Sequence, residues 1–185
     1  MLLSPNASFD LAERVRSAEG ASLGDVFAFL SGLYFRGKLA YARAFARQPG
    51  ERPSTFVITT DRGLVVPHTH VHRHDLLSFC AIDIASGDER YVSPLRRDAK
   101  RLAGEIGGET RIVLLGSIAT GKYADTLIDV FGERLMFPID FVGRGDMSRG
   151  GLLLRCVSEG RELEYQPVLG AVRRGKRPPK LAPVE

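Results

Sequence analysis

Cysteine is scarce: Cys80 and Cys156 are the only two in 185 residues. They are far apart, and each sits among apolar neighbours. That suits buried free thiols in a reducing cytosol better than a disulfide, and it excludes a paired-cysteine metal site. No run approaches the roughly 18 consecutive apolar residues that span a bilayer. The start, Met1-Leu2-Leu3-Ser4-Pro5-Asn6, lacks the basic and apolar regions of a secretory signal. A cytoplasmic protein with no membrane partner is therefore expected. A Gly-x-Ser-x-Gly nucleophile elbow, a Cys/His nucleophile pair and an internal repeat are also missing. The body of the chain lacks net charge as well. The formal charge is +4, and residues 173–185 hold Arg173, Arg174, Lys176, Arg177 and Lys180 against Glu185, so residues 1–172 sum to zero. The basicity is a property of the tail. It suits nucleic-acid phosphates or, equally, a solvated Pro-rich end.

What is present, 44% apolar and 26% charged residues, is enough for one globular core. A single domain over 1–172 with a basic tail at 173–185 is the simplest division. Asn6 or Ser8 would cap a first helix over about 9–18. Ser22 would start a second, and the helical spacing of 26–45, weakened by Gly32 and Gly37, predicts two short helices or one kinked helix. Residues 48–53 read as a loop. The β-branched run 54–60 predicts a strand turning at Asp61-Arg62-Gly63. Residues 76–84 read as a strand or strand–helix mixture, followed by a polar turn at 85–89. Ser93-Pro94 would open a helix over 95–106. Then come an apolar strand at 112–115, a helix to Gly132, a strand at 135–142, a helix over about 148–157, and an alternating edge strand at 162–168. This alternation predicts an α/β fold: one three-layer domain with a mainly parallel sheet, helices on both faces, an N-terminal helical segment and the basic C-terminal tail.

Three constellations carry chemistry. Gly116-Ser117-Ile118-Ala119-Thr120-Gly121-Lys122 lies between a strand and a helix and resembles the phosphate-binding loop of nucleotide hydrolases. Tyr123 stands where that family holds magnesium with Ser or Thr, and Pro138 sits in the strand that would carry the metal-binding carboxylate. Three readings remain: a nucleotide hydrolase, a plain turn with Thr120 capping and Lys122 solvated, or a phosphate- or nucleotide-contacting turn of another enzyme class. The second constellation, residues 143–151, places Arg144, Asp146, Ser148 and Arg149 at a helix start. Asp146 or Ser148 would cap, and the positive dipole end with two arginines suits an anion. The alternative is a capped helix with exposed arginines.

The third constellation holds all four histidines, His68, His70, His72 and His74, followed by Asp75. Alternate spacing puts them on one side of an extended chain. At about 3.3 Å per residue they span roughly 20 Å, so His70, His72, His74 and Asp75 offer at most two or three ligands plus the carboxylate to one ion. A divalent metal, histidine general acid/base work, and an incidental polar loop are the competing readings. Asp61, at a strand end beside Thr59 and Thr60, is a further carboxylate; alone it is an ordinary turn residue.

The segment Leu30-Ser31-Gly32-Leu33-Tyr34, the Gly116 turn and the helix start Gly145-Asp146-Met147-Ser148-Arg149 together resemble YaaA-type and related small bacterial α/β proteins. The Gly116 turn with the late polar turn opening Leu152-Leu153-Leu154-Arg155 is similar to the back half of uracil-DNA-glycosylase-like folds. Asp146-Met147-Ser148 stands where those folds carry His-Pro-Ser, and their early glycine–proline motif is missing. The resemblance covers about a third of the chain and implies a nucleobase or nucleic-acid setting. The resulting expectation is a protein acting on a nucleotide or nucleic acid. Gly116, Ser117, Thr120, Gly121, Lys122, Arg144, Ser148 and Arg149 would hold phosphate, and Asp61, His70, His72 and Asp146 would be the acid/base candidates. The alternatives are a metal-dependent hydrolase or metal-binding protein built on the histidine loop, and a non-enzymatic nucleic-acid-binding or assembly module using the tail.

Overall fold

The computed structural model describes residues 2–47, 52–84 and 87–179. Positions 48–51 of the predicted loop, 85–86 of the predicted turn, and the tail beyond 179 with Lys180 lie outside these residues.

In chain order the elements are α1 (Asp10–Arg16), β1 (Ala21–Ser22), α2 (Leu23–Leu30), α3 (Gly32–Phe45), β2 (Val57–Ile58), β3 (Leu64–Val65), β4 (His70–Val71), α4 (Arg73–Cys80), α5 (Glu89–Glu105), β5 (Ile112–Val113), α6 (Gly121–Phe131), β6 (Leu135–Pro138), α7 (Asp146–Glu159) and β7 (Tyr165–Pro167). Short 3-10 turns flank β6 at Gly132–Arg134 and Ile139–Phe141. The architecture is mixed α/β. The mainly parallel three-layer sheet is not what the described residues form. Two sheets have two strands, a third has the order β5-β6-β7, and β5–β6 is the one parallel pairing, the other three being antiparallel.

Local chemistry explains most departures. The expected Asn6 or Ser8 cap is absent; Phe9 holds the N-cap position of α1. Ser22 does cap α2, accepting the Asp25 N–H at 3.1 Å. The 26–45 run breaks at Ser31 into two helices, with Gly32 at φ +59°, a value costly for any residue with a Cβ. The 54–60 strand shrinks to Val57–Ile58 because the Thr59 hydroxyl serves the hairpin turn, donating to Gly63 O at 3.1 Å and accepting from Arg62 N at 3.2 Å. The 76–84 stretch forms α4 instead of a strand, and Leu76 and Phe79, three apart, bury one face. α5 starts at Glu89, capped by Asp88, whose carboxylate accepts the Arg90 N–H at 2.9 Å, so Pro94 falls inside the helix.

Two core clusters result. Val15, Leu23, Val26, Val71, Leu76 and Phe79 unite α1, α2, β4 and α4. Leu95, Leu127, Leu135, Phe137, Phe141 and Leu153 unite α5, α6, β6 and α7. Tyr41 ties α3 to β7: its hydroxyl accepts the Leu163 N–H at 2.7 Å and lies 2.7 Å from the Tyr165 hydroxyl. α3 crosses α7 at a pair of glycines. A Cβ on Gly37 would lie 2.7 Å from Gly150 O, and one on Gly150 would lie 2.8 Å from the Leu33 backbone. Cys156 is buried in this core, but Cys80 is exposed at the end of α4; both are free thiols. No helix among the described residues is long and apolar enough to cross a membrane.

Candidate functional site

Because β5 and β6 run parallel, their carboxyl ends share one edge. The turns that follow, 114–120 and 142–145, lead into the N-termini of α6 and α7. The expected caps do not form: Thr120 and Gly145 occupy the N-cap positions without a side-chain hydrogen bond, and Asp146 lies one residue inside α7. The first-turn N–H groups of both helices therefore lack side-chain acceptors.

The two ends differ in what covers them. Asp125 folds back over the α6 start, since a Cβ on Gly121 would lie 1.9 Å from its Oδ2, and it pairs with Arg173 at 2.6 Å. A carboxylate thus already occupies the neighbourhood of Gly121, and Lys122 points to solvent. The Tyr123 hydroxyl lies against Gly116, 2.7 Å from where a Cβ would stand. The side chain that departs from the hydrolase motif is therefore the one that fills the loop.

At the α7 end the glycine crossing brings α3 residues onto the site. Tyr34 and Lys38 flank Gly37, and Arg149 precedes Gly150. The Lys38 ammonium lies 4.1 Å from the Tyr34 ring centroid. Arg149 is buried, donates Nη2–H to Phe141 O at 3.0 Å and stacks over the Phe141 ring at 5.4 Å. Asp146 pairs with Arg149 at 3.5 Å but is mostly exposed. The Tyr34 hydroxyl is buried, makes no hydrogen bond of full geometry, and has the Arg149 guanidinium as its polar neighbour. Burial raises its pKa, opposed by the nearby Arg149 guanidinium. Burial likewise raises Tyr123, opposed by a Ser117 backbone hydrogen bond and by Arg149. Burial lowers Lys38 to about 8, with Asp146 opposing and Arg149 reinforcing the shift. The outcome is two cations, one carboxylate and two phenols around the open start of a 14-residue helix. Arg144 is directed elsewhere: it donates to Asp140 O at 2.9 Å and to the Ser148 hydroxyl at 3.3 Å, bracing the turn.

The tail follows this edge. A Cβ on Gly143 would lie 2.1 Å from Lys176 O, and one on Gly175 would lie 2.6 Å from Val142 Cγ1. Residues 173–176 therefore run along the turn that opens α7, with their basic side chains exposed.

The other acid/base candidates gather around α4. The Asp61 carboxylate accepts from the Ser78 hydroxyl at 2.5 Å. Asp75 is buried, pairs with Arg62, accepts the His72 N–H at 2.7 Å and lies 3.0 Å from His74 Nε2. Burial alone would raise the Asp75 pKa; the His72 N–H and Arg62 outweigh it and hold the carboxyl below its usual range. His72, His74 and Asp75 bring one ligand atom each within 4.8 Å of one another. His70 stands outside that group, its Nδ1 2.7 Å from Glu19 O, and His68 is exposed. Of the four predicted acid/base residues, Asp146 alone sits with the strand-end turns. Two surface clefts, about 300 Å³ beside Arg52 and Phe56 and about 500 Å³ beside Arg111 and Tyr165, lie away from both groups.

No local motif singles out Lys38, the position of Tyr34 or the part played by Asp125. A lysine four residues after a tyrosine on a largely apolar helix face was the available signal. No family model, curated protein or solved structure matches the chain.

Proposed function

We propose that the protein binds a phosphate-bearing ligand, a nucleotide or a nucleic-acid strand, at the start of α7. The observation that carries this reading is the convergence of Lys38, Arg149 and the buried Tyr34 hydroxyl on uncapped helical N–H groups. A helix N-terminus favours an anion, and two adjacent cations add to that field. The Tyr34 hydroxyl, whose oxygen faces the Arg149 guanidinium, has its O–H left to donate. Lys38, with its pKa near 8, is the proton-transfer candidate closest to this site. Asp146 is the exposed carboxylate beside it.

The run of basic residues along Val142–Gly143 favours an extended polyanion over a mononucleotide. The resemblance to YaaA-type and uracil-DNA-glycosylase-like proteins points to the same setting. In this reading Lys122 and the tail cations steer the ligand. Gly116 and Ser117 shape the floor through Tyr123, and Arg144 and Ser148 hold the turn.

Fluorescence anisotropy with a labelled single-stranded oligonucleotide through a salt titration tests this. Binding should weaken linearly in log–log form, with inorganic phosphate or ATP competing. Removing residues 173–185 should reduce the slope by about 0.7 per lost phosphate contact while leaving residual affinity. Absence of binding to oligonucleotide and ATP at low salt refutes the proposal.

A further inference from the structure

The histidine loop points to a second site, independent of the strand-end reading. We propose that His72, His74 and Asp75 hold one first-row divalent cation at the start of α4, through His72 Nδ1, His74 Nε2 and a carboxylate oxygen.

Spacing is the first argument. Zinc–nitrogen bonds of about 2.0–2.1 Å put neighbouring ligand atoms about 3.0 Å apart in octahedral and about 3.4 Å apart in tetrahedral coordination. His74 Nε2 lies 3.0 Å from Asp75 Oδ1 and His72 Nδ1 lies 3.6 Å from the other carboxylate oxygen, Oδ2. One ligand atom from each of the three residues lies within 4.8 Å of the others, so the set is wider than a bound ion requires and closes by side-chain adjustment. The two imidazoles are already stacked, with centroids 5.6 Å apart and planes 12° apart. The exposed His74 ring needs only a side-chain rotation to finish the set, and its exposure leaves further coordination positions open to solvent.

Orientation is the second argument. His72 Nε2 lies 3.2 Å from Ala18 O, so it carries the proton that this carbonyl accepts. The Nδ1 lone pair faces Asp75, where it accepts the Asp75 backbone N–H in a capping box that a bound cation would displace. Gly20 makes that approach feasible: a Cβ there would stand 3.0 Å from His72 Nε2 and 2.8 Å from Val71 O. The carboxylate is held too, by Arg62 at Oδ1 and by the His72 N–H at Oδ2. Hydrogen-bonded outer partners of this kind orient ligating carboxylates. The same turn that fixes His72 draws His70 away, onto Glu19 O.

The experiment uses untagged full-length protein, stripped with a chelator and titrated calorimetrically with Zn²⁺, with Co²⁺ absorption as a second readout. One ion should bind per chain, and bound Co²⁺ should show ligand-field bands. His72→Ala and His74→Ala should each lose more than the roughly 10–100-fold that follows removal of an outer partner alone. His74 is exposed, so its substitution leaves the fold, read by circular dichroism, unchanged. His70→Ala should bind within tenfold of the wild type. The proposal is overturned by the absence of saturable one-to-one binding, by unchanged binding in His74→Ala, or by an equal loss in His70→Ala.

Discussion

Gly37 and Gly150 meet backbone on backbone: a Cβ on Gly37 would lie 2.7 Å from the Gly150 carbonyl oxygen. This contact sets the distance between α3 and α7, and with it the placement of Tyr34 and Lys38 beside Arg149. Neither helix can move apart locally without opening the core around Leu152 and Leu153.

Gly150→Ala is accordingly expected to destabilise the fold by about 1–3 kcal/mol, since the added methyl meets backbone atoms that have no rotamer to yield. Gly104 in α5 has nothing within 4 Å of its Cβ position. There the same substitution is expected to stabilise by up to about 1 kcal/mol, through helix propensity alone. Urea unfolding of the two variants measures the contrast. Equal effects would remove the close crossing from the account.

Lys38 makes stability depend on alkaline pH. Its folded pKa near 8 lies below the ordinary lysine value of 10.5, so between these values the unfolded chain holds a proton that the folded chain has released. Folding stability therefore rises with pH across that window. The shift corresponds to about 3.4 kcal/mol at most, reduced by the partial exposure of the side chain. Lys38→Met should be more stable than the wild type at pH 7, and the difference should shrink toward pH 10.5. Thermal unfolding across that range reads it; a constant difference would contradict the buried-ammonium picture.

Asp75 acts at the other end of the scale. Its folded pKa is lowered, so its contribution is present above the unfolded value of about 3.9 and is lost as pH falls through the folded value. Asp75→Asn keeps an acceptor for the His72 N–H but removes the charge that Arg62 faces. It should cost about 1–2 kcal/mol at pH 7, given that Arg62 is partly exposed, and should flatten the acid limb of the stability curve. An acid limb identical to the wild type would assign that limb to other carboxylates.

The Gly20 turn offers a stability test that needs no ligand. At φ +75°, and with a Cβ position 2.8 Å from Val71 O, Gly20→Ala should cost at least about 1–2 kcal/mol. The chemical shifts of His72 should move more than those of His68, which lies outside the contact. Unperturbed His72 resonances would remove the buttress from the account.

Sequence pattern was informative where chemistry is local. The Ser22 cap, the break at Ser31–Gly32, the Gly63 turn and the two strand-to-helix turns after β5 and β6 all follow from neighbouring residues. Pattern misled where a competing local bond won. Thr59 turned its hydroxyl into the hairpin instead of extending a strand, and Asp88 capped α5 ahead of Ser93-Pro94. The parallel sheet was inferred from alternation alone, which does not determine pairing; β7 returns antiparallel beside β6. The candidate site was half legible. Arg149 and the α7 start follow from the glycine-rich turn, but Lys38 and Tyr34 arrive through a tertiary crossing of two glycines that no short motif encodes.

The affinity of Lys38→Gln for a labelled oligonucleotide, at fixed low salt and pH 7, tests the central claim most directly. Glutamine keeps most of the side-chain stem and removes the charge that the site contributes to a phosphate. At least about a tenfold weakening is expected, the lower range of a charge-assisted hydrogen bond, with the fold intact by circular dichroism. An affinity equal to that of the wild type would contradict it and would leave the tail as the binding element.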